Sequence, residues 1–121
     1  MRTLVIDDLR YFRDSVTDDE AVYARTPEEG VHRLSTSEWD IVCLDHDMGY
    51  GRHKDGSFEE YDIWPCMEYI EQHPERFKDT TFWIVTSSPV GGDRIESCLR
   101  AANLSFFRLD WREKGQLFAG A

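Results

Sequence analysis

Apolar residues fall in short runs that each end abruptly at acids or hydroxyls. Thr3-Leu4-Val5-Ile6 stops at Asp7 and Asp8, Asp40-Ile41-Val42-Cys43-Leu44 stops at Asp45, His46 and Asp47, and Phe82-Trp83-Ile84-Val85 stops at Thr86, Ser87, Ser88 and Pro89. Runs of this length are too short for helices and rich in β-branched residues, so they predict strands buried on both faces, as in the middle of a parallel sheet. Ala21–Arg25 and Ser105–Leu109 are more mixed and suit edge strands. Helices are predicted between them. Thr26-Pro27-Glu28-Glu29 supplies an N-cap, a proline at the first helical position and an acid at the third, opening a helix to about Ser35 with Val31 and Leu34 inward. Asp62 can cap a second helix with Ile63, Met67 and Ile70 as its stripe and Pro65 in its first turn, ended by Gln72-His73-Pro74. Gly91 and Gly92 lead into a third, where Ile95, Cys98, Leu99 and Ala102 recur at i, i+3, i+4 and i+7.

Three stretches lack such patterning. Leu9 to Glu20 supports at most a short or irregular helix, and Gly49 to Ser57 reads as a polar, glycine-bearing loop, longer than the usual connection of about 2–6 residues. The tail from Asp110 contains Trp111, Leu117 and Phe118, but Gly115 interrupts it and no long helix is evident. Alternating strands and helices with right-handed crossovers predict an α/β fold. The architecture expected is three-layered and flavodoxin-like, a parallel five-stranded sheet in the order 2-1-3-4-5 with a reduced first helix, forming a single domain over residues 1–121.

Composition narrows the partners. The net charge of −10 argues against bulk nucleic-acid binding, which depends on displacing cations with a basic surface, although a local basic patch could take a nucleotide end. Cys43, Cys66 and Cys98 are an odd set and read as buried thiols of a reducing compartment. No stretch resembles a signal peptide or reaches membrane length, so a cytoplasmic location without membrane contact is expected.

In the expected strand order, the ends at Asp7-Asp8 and Asp45 are neighbours, with Thr86-Ser87 next. Carboxylates crowded at one edge repel unless protons or a divalent cation intervene, and hard oxygen ligands with room for water suit Mg²⁺. Thr86 or Ser87 could add a hydroxyl, and Arg108 a cation for phosphate. His46 lies between Asp45 and Asp47, where an imidazolium is favoured and could protonate a leaving oxygen, or it could simply point away and cap the strand. The acids could likewise be ordinary caps, and a zinc site of His46, Asp47 and His53 would lack close ligand spacing.

The acidic pair Asp7-Asp8, Asp45 within Asp-Ile-Val-Cys-Leu-Asp, and the hydroxyls Thr86 and Ser87 resemble the pattern of receiver domains of two-component signalling. The resemblance implies phosphorylation at Asp45, Mg²⁺ held by the acids and by the main-chain carbonyl of Asp47, and a lysine after the fifth strand, where this chain has Arg108. Asp7-Asp8-Leu9-Arg10, Leu44-Asp45-His46-Asp47-Met48-Gly49 and Ser87-Ser88-Pro89-Val90-Gly91 are more narrowly similar to the cyclic-phosphate processing receiver domain of bacteria and phages. That likeness implies action on cyclic phosphates in a bacterial or phage-infected cytoplasm. The family's histidine in the fourth-strand motif is replaced here by Thr86, removing one acid–base candidate.

Three functions are therefore expected in competition. In the first, Asp7, Asp8, Asp45 and the Asp47 carbonyl hold Mg²⁺, while Thr86, Ser87 and Arg108 hold a phosphate-containing small molecule, with Asp45 and His46 as the catalytic pair of a metal-dependent phosphoesterase. The second is a signalling receiver phosphorylated on Asp45. The third is an interaction module or homodimer joined through a thinly covered sheet face, unless Phe12, Trp111, Leu117 and Phe118 cover it.

Overall fold

The computed structural model describes residues 2–8, 11–12, 21–52 and 58–119. In chain order its elements are β1 (Thr3–Ile6), β2 (Tyr11–Phe12), β3 (Val22–Ala24), α1 (Pro27–Thr36), β4 (Ile41–Leu44), β5 (Asp47–Arg52) and β6 (Phe58–Asp62). There follow α2 (Trp64–Gln72), a 3₁₀ turn at Pro74–Phe77, β7 (Thr81–Ile84), α3 (Pro89–Ala101), β8 (Ser105–Arg108), α4 (Trp111–Leu117) and β9 (Phe118–Ala119).

The apolar runs form the sheet. Five parallel strands lie in the order β3-β1-β4-β7-β8, the flavodoxin-like order expected. Alternation divides their side chains between two faces. Leu4, Ile6, Val42, Leu44, Phe82 and Ile84 face α1, α2 and α3 and join the main core with Leu34, Met67, Ile70, Ile95 and Leu99. Val5, Cys43 and Val85 face the other way and meet Phe118, with Leu117 packed alongside. All three cysteines are buried thiols.

α1 and α3 begin at a side-chain cap, whereas α2 has Ile63 at its N-cap position and Asp62 one residue before it. The Thr26 side chain accepts from the Glu29 amide at the start of α1, and Asp62 accepts from the Trp64 amide at the start of α2. α3 starts earlier than the two glycines suggested, because Ser88 caps it by accepting from the Gly91 amide and Pro89 opens the first turn. Gly91 and Gly92 lie inside that turn, where neighbouring side chains leave no room for a Cβ.

Two of the unpatterned stretches differ from expectation. The loop expected from Gly49 is in part an antiparallel hairpin: β5 pairs with β6 from Asp47↔Asp62 to Arg52↔Phe58, with an irregularity between Asp47 and Tyr50. Backbone pairing builds it without an apolar alternation to announce it; residues 53–57, His53 among them, lie outside the described residues. Within Leu9–Glu20, Tyr11 and Phe12 form a strand and not a helix, pairing antiparallel with Phe118 and Ala119, and the remaining positions lie outside the described residues. The tail contains the seven-residue α4, short as expected, capped by Asp110 accepting from the Glu113 amide. Among the described residues no helix is long and apolar enough to cross a membrane.

Candidate functional site

Parallel pairing of β1 with β4 sets Ile6 against Leu44, so the acids that follow both strands leave the sheet at one level. The Asp45 amide donates to the Ile6 carbonyl and the Asp7 amide to the Ala24 carbonyl, each at 3.1 Å, which ties both backbones to the adjacent strand. By alternation Asp7 and Asp45 lie on the face of Val5 and Cys43. Oxygens of Asp7, Asp8 and Asp45 come within 4.8 Å of one another, with Asp7 only 1% and Asp45 7% exposed. Three carboxylates from two strands at this spacing are a donor set that could hold one hard divalent cation. Their charge also reaches the core: burial first, and then the nearby Asp7, pushes the Cys43 thiol far above its ordinary range.

Cationic and hydroxyl groups surround this edge. Arg25 Nη1 donates to the Asp7 carbonyl at 2.9 Å, and its guanidinium lies over the Tyr23 ring. Thr86 follows β7, whose end is held beside β4 by the Val85 amide donating to the Leu44 carbonyl at 2.9 Å. Thr86 is 8% exposed, and its hydroxyl accepts from the Ser88 amide at 3.1 Å. Ser87 is exposed. Lys114, which the sequence reading did not single out, donates from Nζ to the Thr86 carbonyl at 3.0 Å and is 8% exposed. A local signal for it exists. Asp110 and Glu113 are spaced as the cap and third residue of a helix, and Lys114 then shares a face with Leu117, three residues on.

Arg108 and His46 are engaged elsewhere. Arg108 donates from Nη1 to Asp93 at 2.6 Å and from Nη2 to the Pro89 carbonyl at 3.1 Å, with Glu96 at 3.6 Å. Its guanidinium fills the space that a side chain at Gly92 would need, tying the end of β8 to the first turn of α3. His46 lies on the opposite side of the strand from Asp45, against Gly91, where its ring takes the space that an added Cβ would need. Its Nδ1 is 2.9 Å from the Asp47 carboxylate, and its Nε2 is 3.5 Å from Arg94 Nη1. Arg94 in turn stacks over Trp64 at 4.2 Å. The structure therefore gathers Asp7, Asp8 and Asp45, with Thr86 on the neighbouring strand end. It does not bring His46 into the carboxylate group, and the Asp47 side chain is turned to His46.

A family model described as the cyclic-phosphate processing receiver domain matches residues 2–101. No curated protein and no solved structure matches the chain. The matched span runs from β1 to the end of α3 and contains the three acids and Thr86, while β8, α4 and Lys114 follow it. Covering most of the chain and agreeing with the strand order, this match makes the protein a member of the cyclic-phosphate processing receiver domain family.

Proposed function

We propose that the carboxyl edge of the sheet binds Mg²⁺ together with a phosphate ester, the preferred class being a cyclic phosphate on a small molecule or nucleotide end. The observation that carries this reading is the convergence of Asp7, Asp8 and Asp45 within 4.8 Å, two of them buried. These three would hold the cation, with the Asp47 carbonyl as a further oxygen. When bound, the cation supplies charge neutralisation at the phosphoryl oxygens. Thr86 offers its hydroxyl hydrogen to a phosphoryl oxygen, because its own oxygen already accepts from Ser88.

Opening a cyclic phosphate adds one water to phosphorus and breaks one ring P–O bond. The departing oxygen takes a proton and the product is a phosphomonoester. Asp45 is the residue suited to orient that water and take its proton, being the most central of the buried acids. His46 is assigned no proton transfer, since Asp47 and Arg94 face its two nitrogens.

Calorimetric titration with Mg²⁺ tests the binding, and turnover of cyclic phosphates and phosphomonoesters with and without Mg²⁺ tests the chemistry. Wild type is expected to bind one Mg²⁺ per chain and Asp45→Asn to bind it at least tenfold more weakly, with turnover lost. No heat from the wild type, or equal affinity in Asp45→Asn, removes the reading. Phosphorylation of Asp45 is the second reading, favoured by its place after the third parallel strand beside Thr86. A covalent adduct on Asp45 after treatment with acetyl phosphate, without turnover of esters, would select it.

A further inference from the structure

We infer that Arg25 is a positioning residue of the acidic edge: its guanidinium fixes the peptide between Asp7 and Asp8, so that both carboxylates reach one cation. The inference rests on reading the three acids as a Mg²⁺ site. β1 and β3 pair in parallel, with Val5 opposite Tyr23 and Ile6 opposite Ala24. Continuing that register by one step sets Asp7 opposite Arg25, and alternation puts both on the face of Val5 and Tyr23. The Asp7 amide still donates to the Ala24 carbonyl at 3.1 Å, but β3 ends there and Thr26 turns to cap α1. Beyond the last ladder pair, Arg25 Nη1 takes the Asp7 carbonyl at 2.9 Å.

That carbonyl belongs to the planar peptide leading into Asp8, so a bond to its oxygen also sets the direction in which the Asp8 side chain leaves the backbone. Asp8 has most need of it, since it sits half-buried in a bend past the end of β1. The guanidinium is itself held from two sides. It stacks over the Tyr23 ring at 4.8 Å, and Tyr23 packs against the cluster of Val5, Cys43, Val85 and Phe118. The Arg25 amide donates to the Glu29 carboxylate at 2.9 Å, tying the residue to the first turn of α1. A planar guanidinium can stack and donate at once, which a lysine ammonium in the same place does less well. Arg25 acts on a bound cation in two opposed ways: its charge repels the ion, while its bond to Asp7 preorganises the ligands. Mg²⁺ demands near-ideal octahedral geometry and Ca²⁺ tolerates a looser one, so lost positioning harms Mg²⁺ more, whereas lost charge helps both ions alike.

The test uses the full chain as wild type and Arg25→Met, each titrated calorimetrically with MgCl₂ and with CaCl₂. Arg25→Met is expected to bind Mg²⁺ about tenfold more weakly, the usual scale for losing a group that orients metal ligands, and to lose less affinity for Ca²⁺. Its preference for Mg²⁺ over Ca²⁺ therefore falls. Unchanged or tighter Mg²⁺ binding by Arg25→Met overturns the inference while leaving the cation site standing, and so does a loss for Ca²⁺ as large as that for Mg²⁺. Absence of Mg²⁺ binding by wild type instead overturns the reading of the acids, and this inference with it. Should Arg25→Met not fold, Tyr23→Leu decides: it removes the ring under the guanidinium without changing any charge. The preference for Mg²⁺ must fall there too, and an unchanged preference refutes the role.

Discussion

One face of the sheet sets Leu4, Ile6, Val42, Leu44, Phe82 and Ile84 against three helices, whereas the other sets Val5, Cys43 and Val85 against Phe118 and Leu117 from the end of the chain. Among the described residues the buried charges belong to the second. Asp7 and Asp45 continue the strand positions of Val5 and Cys43, and Lys114 comes from the helix that covers them. Charge burial opposes folding while apolar burial drives it, so the helical face must carry most of the stability that the site consumes. The thin face is held by few apolar contacts, among them those of Phe118 and Leu117 with Val5, Cys43 and Val85.

Truncating each face separates these roles. Phe82→Ala and Phe118→Ala should each cost about 3–5 kcal/mol, the usual loss for a buried phenylalanine. Urea unfolding measures both. Only Phe118→Ala, which removes the packing on Val5 and Cys43 two residues before Asp7 and Asp45, should also weaken Mg²⁺ binding at temperatures where the variants remain folded. If the two variants change Mg²⁺ affinity alike, the thin face has no special link to the site.

Glycine substitutions sharpen the contrast with smaller effects. A Cβ at Gly30 would stand 2.6 Å from Cys66 Sγ and 3.1 Å from Ile6, so Gly30→Ala overpacks α1 against α2 and should destabilise by about 1–3 kcal/mol. Gly115 in α4 has open space around a Cβ, and Gly115→Ala should stabilise by about 0.5–1 kcal/mol through helix propensity. Thermal unfolding with opposite shifts supports this picture; shifts of the same sign would mean that α4 is not the helix described.

An effect of similar size comes from pH. Burial pushes the Cys66 thiol up to about 12, so the folded chain keeps its proton where the unfolded chain, titrating near 9.0, has begun to lose it. The unfolded state then binds fewer protons, and stability falls as pH rises through that window. Between about pH 9 and pH 10 the loss should be about 1 kcal/mol for this thiol. Comparing urea midpoints of wild type and Cys66→Ala isolates it, and identical pH slopes would refute it. Cys43, on the thin face, adds a loss of the same sign, which burial and then Asp7 produce.

Much of this architecture is readable residue by residue. Apolar runs located the five parallel strands, Thr26 with Pro27 located the start of α1, and Ile63, Met67 and Ile70 located the buried side of α2. Each signal is local, a spacing of two or between three and four residues, or a cap beside its helix. The hairpin from Asp47 to Asp62 escaped because its polar strands are joined by backbone bonds that no side-chain pattern encodes. β2 escaped because its partner is β9, at the far end of the chain.

By itself, then, the sequence determined the strand order's logic and the arrival of Asp7, Asp8 and Asp45 at one edge, since an apolar run that stops at an acid must present that acid at its end. Only the tertiary structure decided which cation accompanies them. Arg108 was drawn to Asp93 on α3, and Lys114 was carried inward by the docking of Phe118. A long basic side chain reaches several partners from one backbone position, and the one it meets depends on which distant surfaces have packed together.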